Sequence, residues 1–271
     1  MSASPVFSII VPTHKRPMLL GRALQSIKQQ SFLSGSEAGQ VEVLVVSDVI
    51  DASTDAVCSQ LLGSHDRYLR RSGVAGPALS RNLALDMAQG SYVLFLDDDD
   101  ALQPHWLEEL AASTAFAHQI PIYADCTVIA ERRLASGPEM LSATPMSCAG
   151  LLNDWLHVKN QVHMSCYALP RYYIGSQRFD PYMRAYEDWE FLLGLYRKRP
   201  AEHVGIQASF VFEVYDETSD RRGGSTEATG TDAVLDYLYV YRRYPGPDEA
   251  IRARRAALLA LHGLQVAQEF L

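Results

Sequence analysis

The sequence predicts an α/β fold: a mostly parallel sheet flanked by helices, followed by a helical C-terminal tail. In the first hundred residues, short β-rich runs alternate with segments of helical periodicity, which is typical of βαβ units. The composition, 48% hydrophobic and 21% charged among 271 residues, is that of a chain that can fill a core. We expect one large domain over residues 1–230 and a helical extension over residues 231–271.

The elements of the first half follow in order along the chain. Strands are predicted at residues 7–11, 41–46, 68–69 and 92–96, where β-branched and aromatic residues concentrate. Helices are predicted from Pro17, from an N-cap at Ser53, and over residues 77–89, because apolar residues recur there at helical spacing. Residues 31–40 are polar and lack such periodicity, so we expect a loop. Gly90 stands where the third helix should stop.

The second half is predicted with less regularity. Helices are expected at residues 104–118, 187–198 and 248–271, and strands at 122–129, 162–169 and 203–215. Between residues 131 and 160, glycines and prolines interrupt the pattern, which predicts loops and a short helix near 151–158. The polar, glycine-containing segment 216–230 is predicted to be a flap. The last helix carries several arginines, and packing against the domain or a partner, or contact with a membrane surface, would explain it.

Composition and charge argue against several classes of protein. A net charge of -8 argues against a nucleic-acid partner, since binding to phosphate backbones relies on clustered Lys and Arg. The sequence shows neither a secretion signal nor an apolar run of the ~18 residues that a membrane helix needs, so a cytoplasmic protein is expected. The cysteines form no CxxC pair and are expected to be reduced, without a zinc site; they are Cys58, Cys126, Cys148 and Cys166.

Four consecutive aspartates, residues 97–100, follow the predicted strand at 92–96 directly. Ligands of open α/β sheets bind at the carboxyl ends of strands, so this run is a candidate site. Two carboxylates ~4 Å apart repel by about 4 kcal/mol at an effective dielectric of 20, and a divalent cation would remove that cost. Hard oxygen ligands suit Mg²⁺ or Mn²⁺, which leave positions for phosphate oxygens. A solvated acidic turn is the alternative.

A second acidic group follows the second strand and comprises Asp48, Asp51 and Asp55. Asp48 is a candidate acceptor of hydrogen bonds from a base N–H group or from ribose hydroxyls. Turn formation explains Asp51 and Asp55 at least as well as ligand binding does.

These segments, taken in order, resemble the family 2 glycosyltransferases of the inverting GT-A class, which have a Rossmann-like sheet. The resemblance covers about the first two hundred residues. Its four segments are SIIVPTHKR (8–16), VVSDVIDASTD (45–55), SRNLALDMAQGSYVLFLDDDD (80–100) and YEDWEFLLGL (186–195). They resemble the first strand and turn, the nucleoside-binding turn, the helix and strand with the DxD motif, and the segment with the catalytic base. The ordered set is more specific than any single motif.

The resemblance implies the roles of individual residues. Nucleotide contacts are implied for Pro12, Thr13, Arg16, Asp48, Arg81, Asp97 and Asp98. Asp99 is implied as the metal ligand, for Mn²⁺ or Mg²⁺, although a run of four aspartates allows a shift of one residue. Asp188 is implied as the catalytic general base. Trp189 would either shape the acceptor pocket or pack in the core, and Arg221 and Arg222 would either clamp the diphosphate or remain solvated.

The function implied is sugar transfer with inversion. A nucleotide-diphosphate sugar, with UDP favoured over dTDP or GDP, would donate a hexosyl or related group to an acceptor hydroxyl. The acceptor would be a saccharide or a lipid-linked saccharide in bacterial cell-surface polysaccharide or glycoconjugate synthesis, with the acceptor side within residues 101–230. A location at the inner face of the membrane, with peripheral contact, and the oligomeric state are left open.

Three other functions are weighed against this interpretation. A phosphatase with an aspartate nucleophile would share FLDDDD, but its nucleophile strand is expected near the start of the chain. A nucleotidyltransferase acting on sugar phosphates is expected to have a Gly-rich, Arg-containing N-terminal loop, which residues 8–22 lack. A catalytically inactive nucleotide-sugar-binding protein would keep Asp48 and the aspartates but lose the base, whereas Glu187 and Asp188 are present.

Overall fold

A computed structural model describes residues 4–34, 40–134, 137–183, 185–215 and 231–271, except for the side chains of residues 231–233. The strands of the described chain form one sheet: β1 (Phe7–Thr13), β2 (Val41–Ser47), β3 (Arg67–Arg70), β4 (Tyr92–Phe95), β5 (Ala101–Leu102), β6 (Ile122–Leu134), β7 (Gly137–Met146), β8 (Tyr167–Pro170) and β9 (Glu202–Val214). The helices are α1 (Pro17–Lys28), α2 (Ala52–Leu61), α3 (Pro77–Met87), α4 (Trp106–Ala112), α5 (Thr114–Ala117), α6 (Arg171–Ile174), α7 (Glu187–Tyr196), α8 (Thr231–Arg243) and α9 (Glu249–Leu261).

The N-terminal half of the sheet is parallel and has the strand order β3-β2-β1-β4. Every residue of β1 and β2 is buried, which explains their nearly continuous apolar sequences. In register, Phe7 of β1 lies between Val41 of β2 and Tyr92 of β4. The predicted α/β fold is confirmed, and the first four predicted strands lie within one or two residues of their observed bounds.

The C-terminal half of the sheet is mixed and is organised around β6. This strand pairs antiparallel with β8 and β7 and parallel with β9, while β4 joins the two halves through an antiparallel pairing with β8. The prediction of loops between residues 131 and 160 is wrong for β7. Most of its side chains are exposed, so no alternation marks it as a strand, and its pairing with β6 alone leaves it an edge that tolerates Pro138 and Pro145.

Several helix boundaries differ from the predictions for local chemical reasons. The N-cap of α2 is Asp51, not Ser53, because the Asp51 carboxylate accepts a bond of 2.8 Å from the Thr54 amide. The helix predicted at 104–118 is two helices, broken at Ser113, whose hydroxyl caps α5. Residues 164–166 form a 3₁₀ turn before β8, and the last helix ends at Leu261.

Gly90 is required by close packing rather than by a helix stop. Helix α3 ends at Met87, and Gly90 is absent from the residues with positive φ. A Cβ atom at Gly90 would lie 2.5 Å from the backbone nitrogen of Ser8, whose hydroxyl accepts a 2.8 Å bond from the Gly90 amide. Glycine therefore lets the end of the α3 segment touch the start of β1.

The C-terminal extension packs on the domain. Arg255 of α9 is fully buried, donates to the carbonyl oxygens of His157 and Leu271, and lies 4.2 Å from the centre of the Tyr241 ring. Burial lowers the pKa of Arg255 to about 10. Within the described ranges, no helix has both the length and the apolar character needed to cross a membrane. The predicted flap at 216–230, with Arg221 and Arg222, lies outside the described residues.

Three cysteines that are distant in sequence meet in the core. The sulfur atoms of Cys126, Cys148 and Cys166 lie within 4.8 Å of one another, and all three residues are buried. Cys58 is buried separately in α2. All four are free thiols in this structure, and their spacing in the sequence gave no sign of this cluster.

Candidate functional site

The candidate site lies where the carboxyl ends of β1, β2 and β4 meet. Strand β1 has β2 on one side and β4 on the other, so successive crossovers diverge there, and a crevice forms outside the strand ends. Asp48 follows β2, and the four aspartates follow β4. Pro12 and Thr13 end β1, beside Val46 and Ser47 of β2. The topology thus brings the predicted nucleotide-binding segments to one edge of the sheet.

The turn after β1 is bonded to the aspartate run. The hydroxyl of Thr13 donates to Asp98 Oδ2 at 2.7 Å, and Arg16 Nη1 donates to Asp98 Oδ1 at 3.2 Å. The same Arg16 nitrogen lies 3.3 Å from Asp99 Oδ2, and Arg133 Nη2 lies 3.6 Å from that oxygen. Two guanidinium groups therefore lie near the Asp99 carboxylate, and each is shared with another acidic side chain.

The four aspartates fall into two environments. Asp98 and Asp100 are buried and accept bonds from protein groups; Asp100 accepts from the Phe212 amide at 3.1 Å. Burial raises the pKa of Asp98 to about 6, against the influence of Arg16 and Thr13, and raises the pKa of Asp100 well above its ordinary value. The side chains of Asp97 and Asp99 are 41% and 19% exposed. These two are therefore the more exposed carboxylates, although Asp97 is paired with Arg81 and Asp99 with Arg16.

Arg81 of α3 connects the aspartate run to α7. Its Nη2 donates to Asp97 at 2.6 Å, and its Nη1 donates to Glu187 at 2.8 Å. Burial by itself would lower the pKa of Arg81, but Asp97 and Glu187 together raise it. The guanidinium is therefore a fixed positive charge between the two halves of the site.

Asp188 occupies the first turn of α7 and faces an open cleft. The cleft has about 420 Å³ of space, and its walls include Arg81, Asp97, Asn160 and Asp188. Asp188 Oδ2 accepts from Asn160 Nδ2 at 3.5 Å, and within the described ranges no cation lies within 4.0 Å of its carboxylate. Burial raises the pKa of Asp188, while Arg81 opposes that effect. Asp188 is therefore a basic carboxylate held at the cleft wall.

Asp48 is positioned by the protein itself. Its side chain is 1% exposed, and it contacts His14 Nδ1 at 2.5 Å, the Gly76 amide at 2.8 Å and Arg71 Nη2 at 3.6 Å. These contacts tie the end of β2 to the turn after β1 and to the start of α3. Its predicted role in nucleotide binding stays a prediction.

Neighbours of the aspartate run that the sequence did not suggest come from distant segments. Arg22 donates to the backbone oxygen of Asp99 at 2.6 Å and to Glu131 at 2.7 Å, and it lies 3.5 Å from the centre of the Phe212 ring. Glu131 also accepts from Arg133 at 3.0 Å. No spacing rule connects residues so far apart in the chain, so only the fold reveals this network.

Trp189 belongs to the core, not to an acceptor pocket. It is fully buried, and its Nε1 donates to the Leu156 carbonyl oxygen at 2.6 Å. Its ring packs on those of Tyr237 and Tyr241 of α8. Of the two interpretations of Trp189, the core alternative is correct.

The aspartate run is chemically suited to a cation that takes few protein ligands. In the described part of the chain, these carboxylates do not form a cluster of three potential ligand atoms. Burial raises the pKa of Asp99, and the charge of Asp97 raises it further, so the two carboxylates repel each other. A site with one or two carboxylates fits Mg²⁺ or Mn²⁺, which complete their shells with water and phosphate oxygens.

Known proteins similar to this chain share both sequence and fold. Residues 8–123 match the family described as Glycosyl transferase family 2. The GalNAc(5)-diNAcBac-PP-undecaprenol beta-1,3-glucosyltransferase of Campylobacter jejuni is 34% identical over 136 residues, which are 48% of this chain and 41% of that protein. The poly(ribitol-phosphate) beta-N-acetylglucosaminyltransferase TarS of Staphylococcus aureus is 33% identical over 115 residues, 39% of this chain and 18% of that protein. The matches thus span less than half of these relatives.

A solved structure extends the similarity in fold to nearly the whole chain. The crystal structure of S. aureus TarS residues 1–349 in complex with UDP-GlcNAc has a TM-score of 0.69 at 18% identity, covering 94% of this chain and 72% of that one.

Proposed function

We propose that the chain is a family 2 glycosyltransferase with a GT-A fold, which transfers a sugar, with inversion, from a nucleotide diphosphate to an acceptor hydroxyl. The observation that carries this proposal is the convergence of two separate groups on one cleft. Asp97, which follows β4 at the carboxyl edge of the sheet, and Asp188 of α7 both line the cleft, and Arg81 bonds to Asp97 and to Glu187, the neighbour of Asp188. This arrangement would supply a donor side and an acceptor side.

The donor side is proposed to hold the nucleotide diphosphate through Mn²⁺ or Mg²⁺. Asp99 would be the metal ligand, and Asp97 would contact the nucleotide, because these two carboxylates are the more exposed of the run. When bound, the cation would stabilise the negative charge of the departing diphosphate. Pro12, Thr13 and Arg16 would border the nucleotide. Asp48 would fix the β1 turn and reach the nucleoside, and Asp98 would anchor that turn.

The acceptor side is proposed to use Asp188 as general base. Its raised pKa suits proton removal from a hydroxyl as the bond to the anomeric carbon forms, because a stronger base takes the proton more readily. Glu187 is a poorer candidate because its carboxylate is paired with Arg81. Asn160, which donates to Asp188, would orient the carboxylate toward the cleft.

The substrates are proposed from the relatives. TarS has been solved with UDP-GlcNAc and with UDP, which favours a UDP-sugar donor and a hexosyl or related product here. The names of relatives include acceptors built on undecaprenol and on poly(ribitol phosphate), so a saccharide or lipid-linked saccharide acceptor in cell-surface polysaccharide or glycoconjugate synthesis is proposed.

A two-part experiment tests this function. Melting temperatures measured with UDP, GDP and dTDP, each with and without Mn²⁺, should rise most with UDP and Mn²⁺, because a ligand of the folded state stabilises it. Release of UDP from UDP-sugars is then measured. Release of inorganic diphosphate from UTP and a sugar 1-phosphate would show a nucleotidyltransferase instead. Binding of UDP-sugars without turnover across a panel of acceptors would show an inactive binding protein.

A further inference from the structure

A second hollow, here called the C-terminal groove, opens beside the cleft between the turn at Asp154–His157 and helix α9. It has about 570 Å³ of space. Its apolar walls consist of Trp155, Val158, Ala257, Leu258 and Leu261. Trp155 is 43% exposed and Leu261 83% exposed, whereas Trp106 and Trp189 are fully buried. Large apolar side chains grouped at a surface hollow indicate a binding site more than isolated exposed ones do.

The charges in the groove are opposite in sign to the net charge of the chain. Lys159 and Arg254 line it, and none of its described lining residues is acidic, although the whole chain carries -8. The Arg254 guanidinium lies 5.4 Å from the centre of the Trp155 ring. In the described ranges, neither cation has a carboxylate within 4.0 Å. The groove therefore combines an apolar wall with two cations available to an anion.

The groove shares two wall residues with the cleft that Asp188 lines. Asn160 and Gln161 line both hollows, and Asn160 also donates to Asp188. A ligand that fills the groove and extends past Asn160 would therefore reach the candidate base.

We propose that the C-terminal groove binds the carrier of a lipid-linked acceptor, an apolar chain joined to a saccharide by phosphate groups. The chain would pack on Trp155 and Leu261, the phosphates would lie near Lys159 and Arg254, and the saccharide would extend toward Asp188. This inference rests on the proposed function, because it names the class of acceptor for the same cleft.

The charge and shape of the groove favour this occupant over others. A free saccharide would leave the apolar wall and both cations uncovered, and a free phosphate would leave the apolar wall uncovered. A second copy of the chain would bring another net charge of -8. A flat bilayer surface would not fill a concave groove, whereas one hydrocarbon chain can enter it.

The test uses farnesyl diphosphate as the probe, with the full chain saturated with UDP and Mn²⁺ so that the donor site is filled. Calorimetry should show that the probe binds at least 10-fold more tightly than inorganic diphosphate or farnesol. Arg254→Glu and Leu261→Ser should each weaken binding of the probe at least 5-fold. Arg242→Glu and Leu235→Ser make the same chemical changes at exposed positions of α8 and should leave it unchanged.

The possible outcomes distinguish a failure of the groove proposal from a failure of the proposed donor binding. If UDP binds with Mn²⁺ but farnesyl diphosphate does not, or binds equally to all four variants, the groove proposal is overturned and the donor proposal stands. If UDP fails to bind while binding of farnesyl diphosphate still depends on Arg254 and Leu261, the groove proposal is supported and the donor proposal fails.

Two results would indicate a different occupant of the groove. Equal, Arg254-dependent binding to phosphatidylglycerol vesicles that lack prenyl diphosphate would overturn the proposal in favour of a membrane surface. Dissociation of a dimer by Leu261→Ser, seen by light scattering, would overturn it in favour of a second copy.

Discussion

Replacing Asp188 by Asn tests the catalytic assignment most directly, because the change removes basicity while keeping shape. An Asn side chain can still accept the bond that Asn160 donates to Asp188. A lost general base lowers turnover by roughly 10²–10⁴-fold, which corresponds to about 3–5 kcal/mol of barrier. We therefore expect kcat of Asp188→Asn to fall within that range at saturating donor and acceptor.

The stability of the same variant should change little. Neutralising a buried carboxylate relieves the cost of its desolvation but also removes its attraction to Arg81, and these effects oppose each other. We expect the free energy of unfolding to change by about 1 kcal/mol or less, which corresponds to a few degrees in Tm for a domain of this size. UDP affinity in Mn²⁺ should stay within about 2-fold of wild type by calorimetry, because Asp188 is not among the residues proposed to contact the nucleotide or the cation.

The pH profile supplies an independent readout. A general base works only when deprotonated, and the pKa of Asp188 is raised above the ordinary aspartate value by burial. Activity of the wild type should therefore fall as pH decreases through this raised pKa, at a higher pH than an exposed aspartate would give. The residual activity of Asp188→Asn should lack this acidic limb.

Glu190→Gln is the matched control, because it neutralises a buried carboxylate on the same helix, away from the cleft. Glu190 accepts from the Tyr244 hydroxyl at 2.7 Å, and a glutamine can accept the same bond. Turnover of Glu190→Gln should stay within a few-fold of wild type. If Asp188→Asn keeps more than about a tenth of wild-type turnover, or loses no more than Glu190→Gln does, Asp188 is not the base, and Glu187 becomes the next candidate.

Three further predictions concern the donor side and the fold. Asp99→Asn should lower UDP affinity at least 10-fold in Mn²⁺ and abolish the difference between Mn²⁺ and EDTA; equal wild-type affinity in both conditions, by calorimetry, would refute a cation bridge. Asp48→Ala should weaken UDP binding by about 1–3 kcal/mol and also lower Tm, because buried donors lose their acceptor; native Tm with unchanged affinity would exclude Asp48 from both roles. Gly90→Ala should destabilise the fold by about 1–3 kcal/mol in urea unfolding, since its Cβ would meet the Ser8 backbone, whereas Gly63→Ala, with only an ordinary contact of 3.5 Å, serves as the control and should stay close to wild type.

The features that the sequence predicted best are those that depend on local patterns of residues. Strands β1, β2 and β4 are nearly continuous apolar runs followed by polar residues, so both the strands and the edge that they share could be predicted. The positions of Asp48 and the aspartate run at that edge follow from the same rule. Helix α7 was equally clear from its periodicity, and Asp188 lies in its first turn as expected.

What the sequence did not predict depends on contacts between distant segments. Strand β7 exists because β6 offers it a backbone ladder, and its exposed side chains carry no pattern of their own. The pairing of Arg81 with Glu187, and of Arg22 with Glu131, requires the folded arrangement of helices around the sheet. The division of the aspartates into buried and exposed members also depends on partners from β9 and the β1 turn.

The burial of every cysteine makes thiol chemistry a direct reporter of how this chain unfolds. A small alkylating reagent cannot reach Cys58 in α2, which follows the parallel strand β2, or Cys126 in β6 of the mixed half of the sheet, until the surrounding structure opens. Pulse alkylation followed by peptide mass spectrometry would therefore measure separately when each cysteine becomes exposed during unfolding. Simultaneous labelling of both would show that the two halves of the sheet open as one cooperative unit. Earlier labelling of Cys126 would show that the mixed half of the sheet opens before the region around α2.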